Sequence, residues 1–100
     1  MNMEDYYSRT EVQDKIRRDF ARNYANSVKD LKYLIAENDT DNAIKLAHTL
    51  KGLGRYMKEN TMAEAAERIE RNIKKSVILP LDIQILESEV NKILSSVKSD

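Results

Sequence analysis

Residues 43–57 read AIKLAHTLKGLGRYM, and the spacing of apolar side chains in this stretch determines the fold we expect. Apolar residues recur every three or four positions, which is the period of an α-helix that buries one face. The stretch also contains His48, the only histidine of the chain, and both glycines, Gly52 and Gly54. We predict an amphipathic helix over about 41–57. Its buried stripe consists of Ala43, Leu46, Ala47, Leu50, Leu53, Gly54 and Met57.

Three further helices are predicted on either side of this one. A long amphipathic pattern runs from Thr10 to about Glu37, another helix covers about 62–75, and Pro80 suits the first turn of the last helix. Short polar links join the helices, so we expect an all-α fold, an antiparallel up-down four-helix bundle. The N-terminus is expected to be a short segment or an extra helical turn, and the C-terminus a frayed tail. The predicted segment, bundle and tail cover 1–9, 10–98 and 99–100, respectively.

The composition restricts the chemistry that this chain can perform. One hundred residues form a single domain, and the 17 basic and 17 acidic residues balance, which argues against a nucleic-acid-binding protein. The chain has no cysteine and one histidine, so we expect no metal site. No apolar run approaches the roughly 20 residues of a membrane span, and the polar N-terminus does not resemble a signal peptide. We therefore expect a cytoplasmic domain without direct membrane contact.

The position of His48 on the predicted helix suggests a functional face. On a helical wheel at about 100° per residue, His48 lies opposite the buried stripe, and Gly52 lies beside it one turn later. A histidine on a helix surface is usually just solvated. A glycine inside an exposed helix, however, costs about 0.5–1 kcal/mol relative to alanine, which favours a compensating reason such as the close approach of a partner. A neutral imidazole is a good nucleophile near neutral pH, and Lys51 and Arg55 could offset the charge of a phosphoryl group. The surface predicted to bind the partner consists of Ile44, Lys45, His48, Lys51, Gly52 and Arg55.

The hexapeptide AHTLKG at 47–52 resembles the signature of histidine-containing phosphotransfer (HPt) domains of bacterial-type phosphorelays. The resemblance extends over most of the chain, from about 20 to 97. It includes Asp39, nine residues before the histidine, and the Ile-Glu pair at 69–70. The chain departs from the family pattern after the glycine, which bears on the choice of partner more than on phosphate acceptance. The departures are Leu53, Arg55, Tyr56 and Lys58, the last of which stands where the family often has a further glycine.

The resemblance implies a bundle whose exposed histidine carries phosphate on its Nε2 atom. The family's histidine, lysine and glycine correspond to His48, Lys51 and Gly52. Glu70 stands where the family often has a residue that bonds the other ring nitrogen, and a carboxylate there would fix the tautomer and leave Nε2 as the nucleophile. From the residues alone, an exposed ion pair between Glu70 and Lys74, four positions later, is an equally good interpretation.

The resemblance also implies the partners. They are the receiver domain of a response regulator, whose aspartate exchanges the phosphate and whose acidic pocket binds Mg²⁺, and a histidine kinase. The chain itself is expected to need no cofactor, to lack a catalytic apparatus of its own, and to be a monomer as an isolated domain. Two alternatives stay open: a non-catalytic adaptor that binds a receiver or kinase domain, and the phosphoacceptor domain of a chemotaxis-type histidine kinase. The sequence also leaves open whether the domain stands alone or is the cytoplasmic module of a membrane-bound hybrid sensor kinase.

Overall fold

The computed structural model describes the backbone of residues 3–97 and the side chains of residues 12–97. The tail predicted at 99–100 lies outside this part of the chain. Throughout the described part the secondary structure is helical, which confirms the predicted all-α class. None of the five helices is long and apolar enough to cross a membrane. They are α1 (Met3–Asn23), α2 (Ser27–Ala36), α3 (Thr40–Tyr56), α4 (Asn60–Lys74) and α5 (Pro80–Ser96).

Helices α2 to α5 pack as a four-helix bundle around one apolar core. Each of these helices contacts the next one along the chain, and α2 also contacts α5, which closes the bundle. The links between them are three to five residues long, so consecutive helices run antiparallel. Apolar side chains from all four helices and from α1 are buried in the core, and the largest of them are Phe20, Leu31, Leu50, Met57, Met62, Leu86 and Val90.

The interface between α3 and α4 is tight because small residues lie on both sides of it. Ala47 of α3 and Ala66 of α4 are completely buried. A Cβ atom added to Gly54 would lie 3.0 Å from the backbone nitrogen of Ala63, so this position has no room for a side chain. The glycine predicted on the buried stripe therefore permits close approach of the two backbones. This packing sets the distance between side chains that α3 and α4 present at their exposed edge.

The prediction of one long first helix from Thr10 to about Glu37 is wrong. Helix α1 already begins at Met3, inside the segment predicted to be loose, and the chain is interrupted at 24–26 before α2 begins. Neither proline nor glycine marks the interruption, and the helical spacing of apolar residues continues through it. The helices on either side of the break pack differently: α2 lies within the bundle, whereas α1 buries Phe20 in the same core and is bonded to the C-terminal end of α3.

Two side chains of α1 bind the C-terminal end of α3. Gln13 donates a hydrogen bond from Nε2 to the carbonyl oxygen of Tyr56 at 2.9 Å. Arg17 donates to the carbonyl oxygen of Met57 at 2.8 Å and forms an ion pair with Glu59 at 2.9 Å. The last carbonyl groups of a helix have no intrahelical donors, so α1 supplies the partners that this helix end requires.

Three helices are followed by a residue with a left-handed backbone conformation. Asn38, Lys58 and Ser76 have φ angles of 57°, 59° and 59° and come after α2, α3 and α4. This position after a helix favours glycine, and asparagine tolerates it better than most other residues. Lys58 is one of the departures from the HPt pattern, which often has glycine there. The structure therefore gives a physical reason for the glycine that other family members often have here: the residue at this position, just after α3, adopts a left-handed backbone conformation.

Candidate functional site

His48 lies in the middle of α3, on the face opposite the core. Ala47 and Leu50 beside it are fully buried, whereas 65% of the His48 side chain is exposed. The start of the helix is fixed by Asp39, whose side chain accepts a hydrogen bond from the backbone N–H of Asn42. The orientation predicted for the histidine from the helical wheel is confirmed.

The carboxylate of Glu70 reaches this histidine from α4. Its Oε2 atom lies 3.2 Å from Nδ1 of His48, and only 10% of the Glu70 side chain is exposed. An ionised carboxylate can only accept hydrogen bonds, so Nδ1 carries a proton, and the lone pair of the neutral ring is on Nε2. No residue in the described part of the chain hydrogen-bonds to Nε2. The ring therefore has one nitrogen that is held by the protein and one that is open to a partner.

Two lysines hold the same carboxylate. Nζ of Lys51 is 3.2 Å from Oε1 of Glu70, and Nζ of Lys74 is 3.5 Å from Oε2, the oxygen that also faces His48. The ion pair with Lys74 is thus present together with the histidine contact, but the carboxylate in it is buried rather than exposed. Burial raises the pKa of Glu70, yet the hydrogen bond and charge of Lys51, followed by those of His48, outweigh it and hold this pKa below its ordinary value. Glu70 is therefore ionised at neutral pH.

Gly52, one turn after His48, has no packing role. A Cβ atom added to it would meet no atom of the described residues within 4 Å, in contrast to the crowded position of Gly54. An alanine would fit there and would favour the helix. The fold therefore gives no reason for the glycine, and the open space beside His48 agrees with the interpretation that a partner approaches at this point.

The other residues predicted to bind a partner differ in their surroundings. Lys45 is exposed on the same face as the histidine, whereas Ile44 is half-buried against the core. Arg55 is exposed, but its guanidinium lies 3.6 Å from Oε2 of Glu67 on α4. Lys51 has only 17% of its side chain exposed and is directed toward α4. Lys45 is therefore exposed to solvent, whereas Lys51 and Arg55 are each paired with a carboxylate of α4.

The pairing of Lys51 with Glu70 was not predicted from the sequence. Helical wheels place both residues at the edge of the stripe that their helix buries, which is the signal that could have suggested a contact. A wheel does not state which two helices are neighbours or how they are shifted along each other. The histidine contact was suggested by the family resemblance, and the helical wheel supported it by placing Glu70 at the edge of the buried stripe, facing a neighbouring helix.

One comparison with known proteins gives a result. The family model described as "Hpt domain" matches residues 15–100, which is most of the chain and includes all the residues of the site. No curated protein and no solved structure matches the chain significantly.

Proposed function

This chain belongs to the Hpt domain family, whose members perform histidine phosphotransfer in two-component phosphorelays, and we propose that His48 is its phosphoacceptor. Hpt domains interact with response regulators and with histidine kinases. For this chain we propose that the phosphate is exchanged with the aspartate of a receiver domain, and that the isolated domain acts as a monomer. The observation that carries the proposal is the arrangement of His48, with Nδ1 held at 3.2 Å by Glu70 and the ring largely exposed.

The proposed reaction requires little from the chain beyond a positioned nucleophile. The lone pair of Nε2 attacks the phosphorus of the aspartyl phosphate, the P–Nε2 bond forms, and the bond between phosphorus and the aspartyl oxygen breaks. The aspartate leaves as a carboxylate, and the proton on Nδ1 stays in place. The ring becomes an imidazolium, whose positive charge lies next to the ionised Glu70. A preorganised opposite charge at the place where charge develops lowers the barrier. The reverse reaction returns the phosphoryl group to a receiver.

The lysines around Glu70 have a defined role in this proposal. Lys51 keeps the carboxylate ionised, and Lys51 and Lys74 together restrict its rotation, because each of them forms an ion pair with one of its oxygens. The ammonium group of Lys51 would also offset part of the charge of the phosphoryl group. The chain would supply no metal ligand to the reaction, and the receiver domain would contribute Mg²⁺ together with its acidic pocket.

The proposal can be tested by transfer of labelled phosphate from a phosphorylated receiver domain to the purified protein. We expect label in the wild type and none in His48→Gln, which removes the nucleophile from an exposed position and should fold normally. The bound label should be acid-labile and alkali-stable, as a phosphoramidate is. Label that persists in His48→Gln would contradict the proposal.

The same experiment separates the alternatives. A receiver that binds wild type and His48→Ala equally well but transfers no phosphate would indicate a non-catalytic adaptor. Phosphorylation by a histidine kinase domain but by no phosphorylated receiver would indicate the phosphoacceptor domain of a chemotaxis-type kinase. Unfolding curves of the variants, measured by circular dichroism, provide the control for folding.

A further inference from the structure

Tyr56 is a large aromatic residue on the surface of α3, and no role has so far been assigned to it. It is 70% exposed and is the last residue of the helix. His48, Gly52 and Tyr56 are spaced four residues apart, so they follow one another on successive turns of α3, each rotated by about 40° from the one before. At a rise of about 1.5 Å per residue, Tyr56 lies about 12 Å along the helix from the histidine. The three positions form a continuous strip of nucleophile, open space and aromatic ring.

The backbone that carries this ring is held in place by α1. Gln13 donates to the carbonyl oxygen of Tyr56 itself, and Arg17 donates to that of the next residue, Met57. The final turn of α3 therefore cannot fray without losing these bonds. A tyrosine on a fixed backbone has few torsions left to restrict, so it can provide contact area at a small entropic cost. Both bonds use backbone carbonyls and do not depend on the tyrosine ring.

An interface of typical size that is centred on His48 also covers Tyr56. A specific complex typically buries about 800 Å² on each partner, which corresponds to a disc of about 16 Å in radius. Such a disc centred on His48 includes Tyr56. A partner that places an aspartyl phosphate at Nε2 must lie across Gly52, because the absent side chain is what allows its backbone to come close.

We propose that Tyr56 is a docking contact for the receiver domain that exchanges phosphate with His48, and that it contributes to the choice of that receiver. This inference rests on the function proposed above. The complementary surface is an apolar depression on the receiver, about 12 Å away from its phosphorylated aspartate. Tyrosine is enriched at the centres of protein interfaces because its ring is apolar and its hydroxyl group can be hydrogen-bonded. Tyr56 is also one of the positions where this chain departs from the small or polar residues usual in the family, as expected for a residue that distinguishes partners.

The test compares Tyr56→Ser with Tyr33→Ser, since Tyr33 on α2 is 64% exposed and is not part of the strip. The phosphodonor is the phosphorylated receiver, from the source genome, that transfers fastest to wild type. For Tyr56→Ser we expect the receiver concentration at half-maximal rate to rise about 10-fold, with the limiting rate unchanged. Tyr33→Ser should behave as wild type. Tyr56→Phe should retain most of the affinity, since it keeps the ring.

A small donor distinguishes failure of this inference from failure of the proposed function. Phosphoramidate phosphorylates histidine without a docking surface, so wild type and Tyr56→Ser should react with it at the same rate. If Tyr56→Ser and wild type reach half-maximal rate at the same receiver concentration, and both accept phosphate on His48, the docking role of Tyr56 is overturned. The proposed function of His48 is then unaffected. A lower limiting rate with unchanged half-saturation would also overturn the docking role. If neither phosphoramidate nor a receiver phosphorylates His48 in wild type, the proposed function fails.

Discussion

Oε2 of Glu70 lies 3.2 Å from Nδ1 of His48, although the two residues are 22 positions apart and belong to different helices. Small residues bring α3 and α4 close together, and Lys51 of α3 and Lys74 of α4 form ion pairs with the same carboxylate. The contact with His48 determines which ring nitrogen is protonated and places a negative charge where the reaction would create a positive one.

Replacement of Glu70 should slow phosphotransfer without abolishing it. Glu70→Gln keeps an acceptor for the proton on Nδ1 but loses the charge, so we expect a rate about 10-fold lower; Glu70→Ala should be about 100-fold slower, since both are lost. Single-turnover transfer from a phosphorylated receiver measures the rate. Glu67→Gln is the matched control, because Glu67 pairs with Arg55 and Arg71 and not with the histidine. Equal rates for Glu70→Ala and Glu67→Gln would be inconsistent with this role.

The stability of the fold should depend on the ionisation of Glu70. Folding lowers its pKa below the ordinary value of 4.5, so the carboxylate stabilises the protein above that pH, and the contribution is lost as pH falls through the folded-state pKa. The free energy of unfolding should therefore drop more steeply for wild type than for Glu70→Gln as pH is lowered from about 5 to about 3. Urea unfolding curves at each pH provide the comparison. Parallel pH profiles for the two proteins would show that Glu70 is not stabilised by its partners.

The two glycines of α3 should respond oppositely to the same substitution. Gly52→Ala should raise the free energy of unfolding by about 0.5–1 kcal/mol, because the added methyl group meets no neighbour and favours the helix. Gly54→Ala should destabilise the protein, since its Cβ would press on the backbone of Ala63.

A larger residue at the first of these positions should separate folding from function. Gly52→Leu should fold, yet transfer from a receiver should be blocked, because the side chain occupies the space that the partner needs. Thermal unfolding and the transfer assay together test this. Unfolding of Gly52→Leu would mean that the glycine has a structural role after all.

Lys58→Gly should stabilise the protein by up to about 1 kcal/mol, because a left-handed residue with a side chain is strained and glycine is not. Part of the gain is offset by the greater freedom of glycine in the unfolded chain. Asn38→Gly is the control at the equivalent position after α2. It should gain less, since asparagine tolerates this conformation. Chemical denaturation of both variants measures the difference, and a larger gain at Asn38 would argue against this explanation.

Much of the bundle could be predicted from the sequence because the information is local. The apolar spacing of α3, α4 and α5 gave their approximate bounds, and the same spacing placed His48 on the exposed side. The break at 24–26 was missed because the apolar spacing continues through it, although Asn26, the N-cap of α2, is a residue type favoured at helix starts. Local patterns report which face of a helix is buried, but not where a helix is directed in the fold.

In the candidate site, too, features set within one helix could be predicted and features set between helices could not. His48 and Gly52 could be recognised from one helix, because their relation is set by the helical repeat. The contact of Glu70 with the histidine came from the family resemblance, and the pairing of Lys51 with Glu70 was missed, because both depend on the relative shift of α3 and α4. Roles that depend on a partner, such as that proposed for Tyr56, require measurements with that partner.

The most direct test of the account is to identify the nitrogen that becomes phosphorylated. Protein labelled with ¹⁵N is treated with phosphoramidate, and ¹⁵N and ³¹P magnetic resonance locate the phosphorus and the ring proton. We predict a single phosphorylated residue, His48, with phosphorus on Nε2 and a proton on Nδ1, facing Glu70. Phosphorus on Nδ1, or on a residue other than His48, would contradict the account.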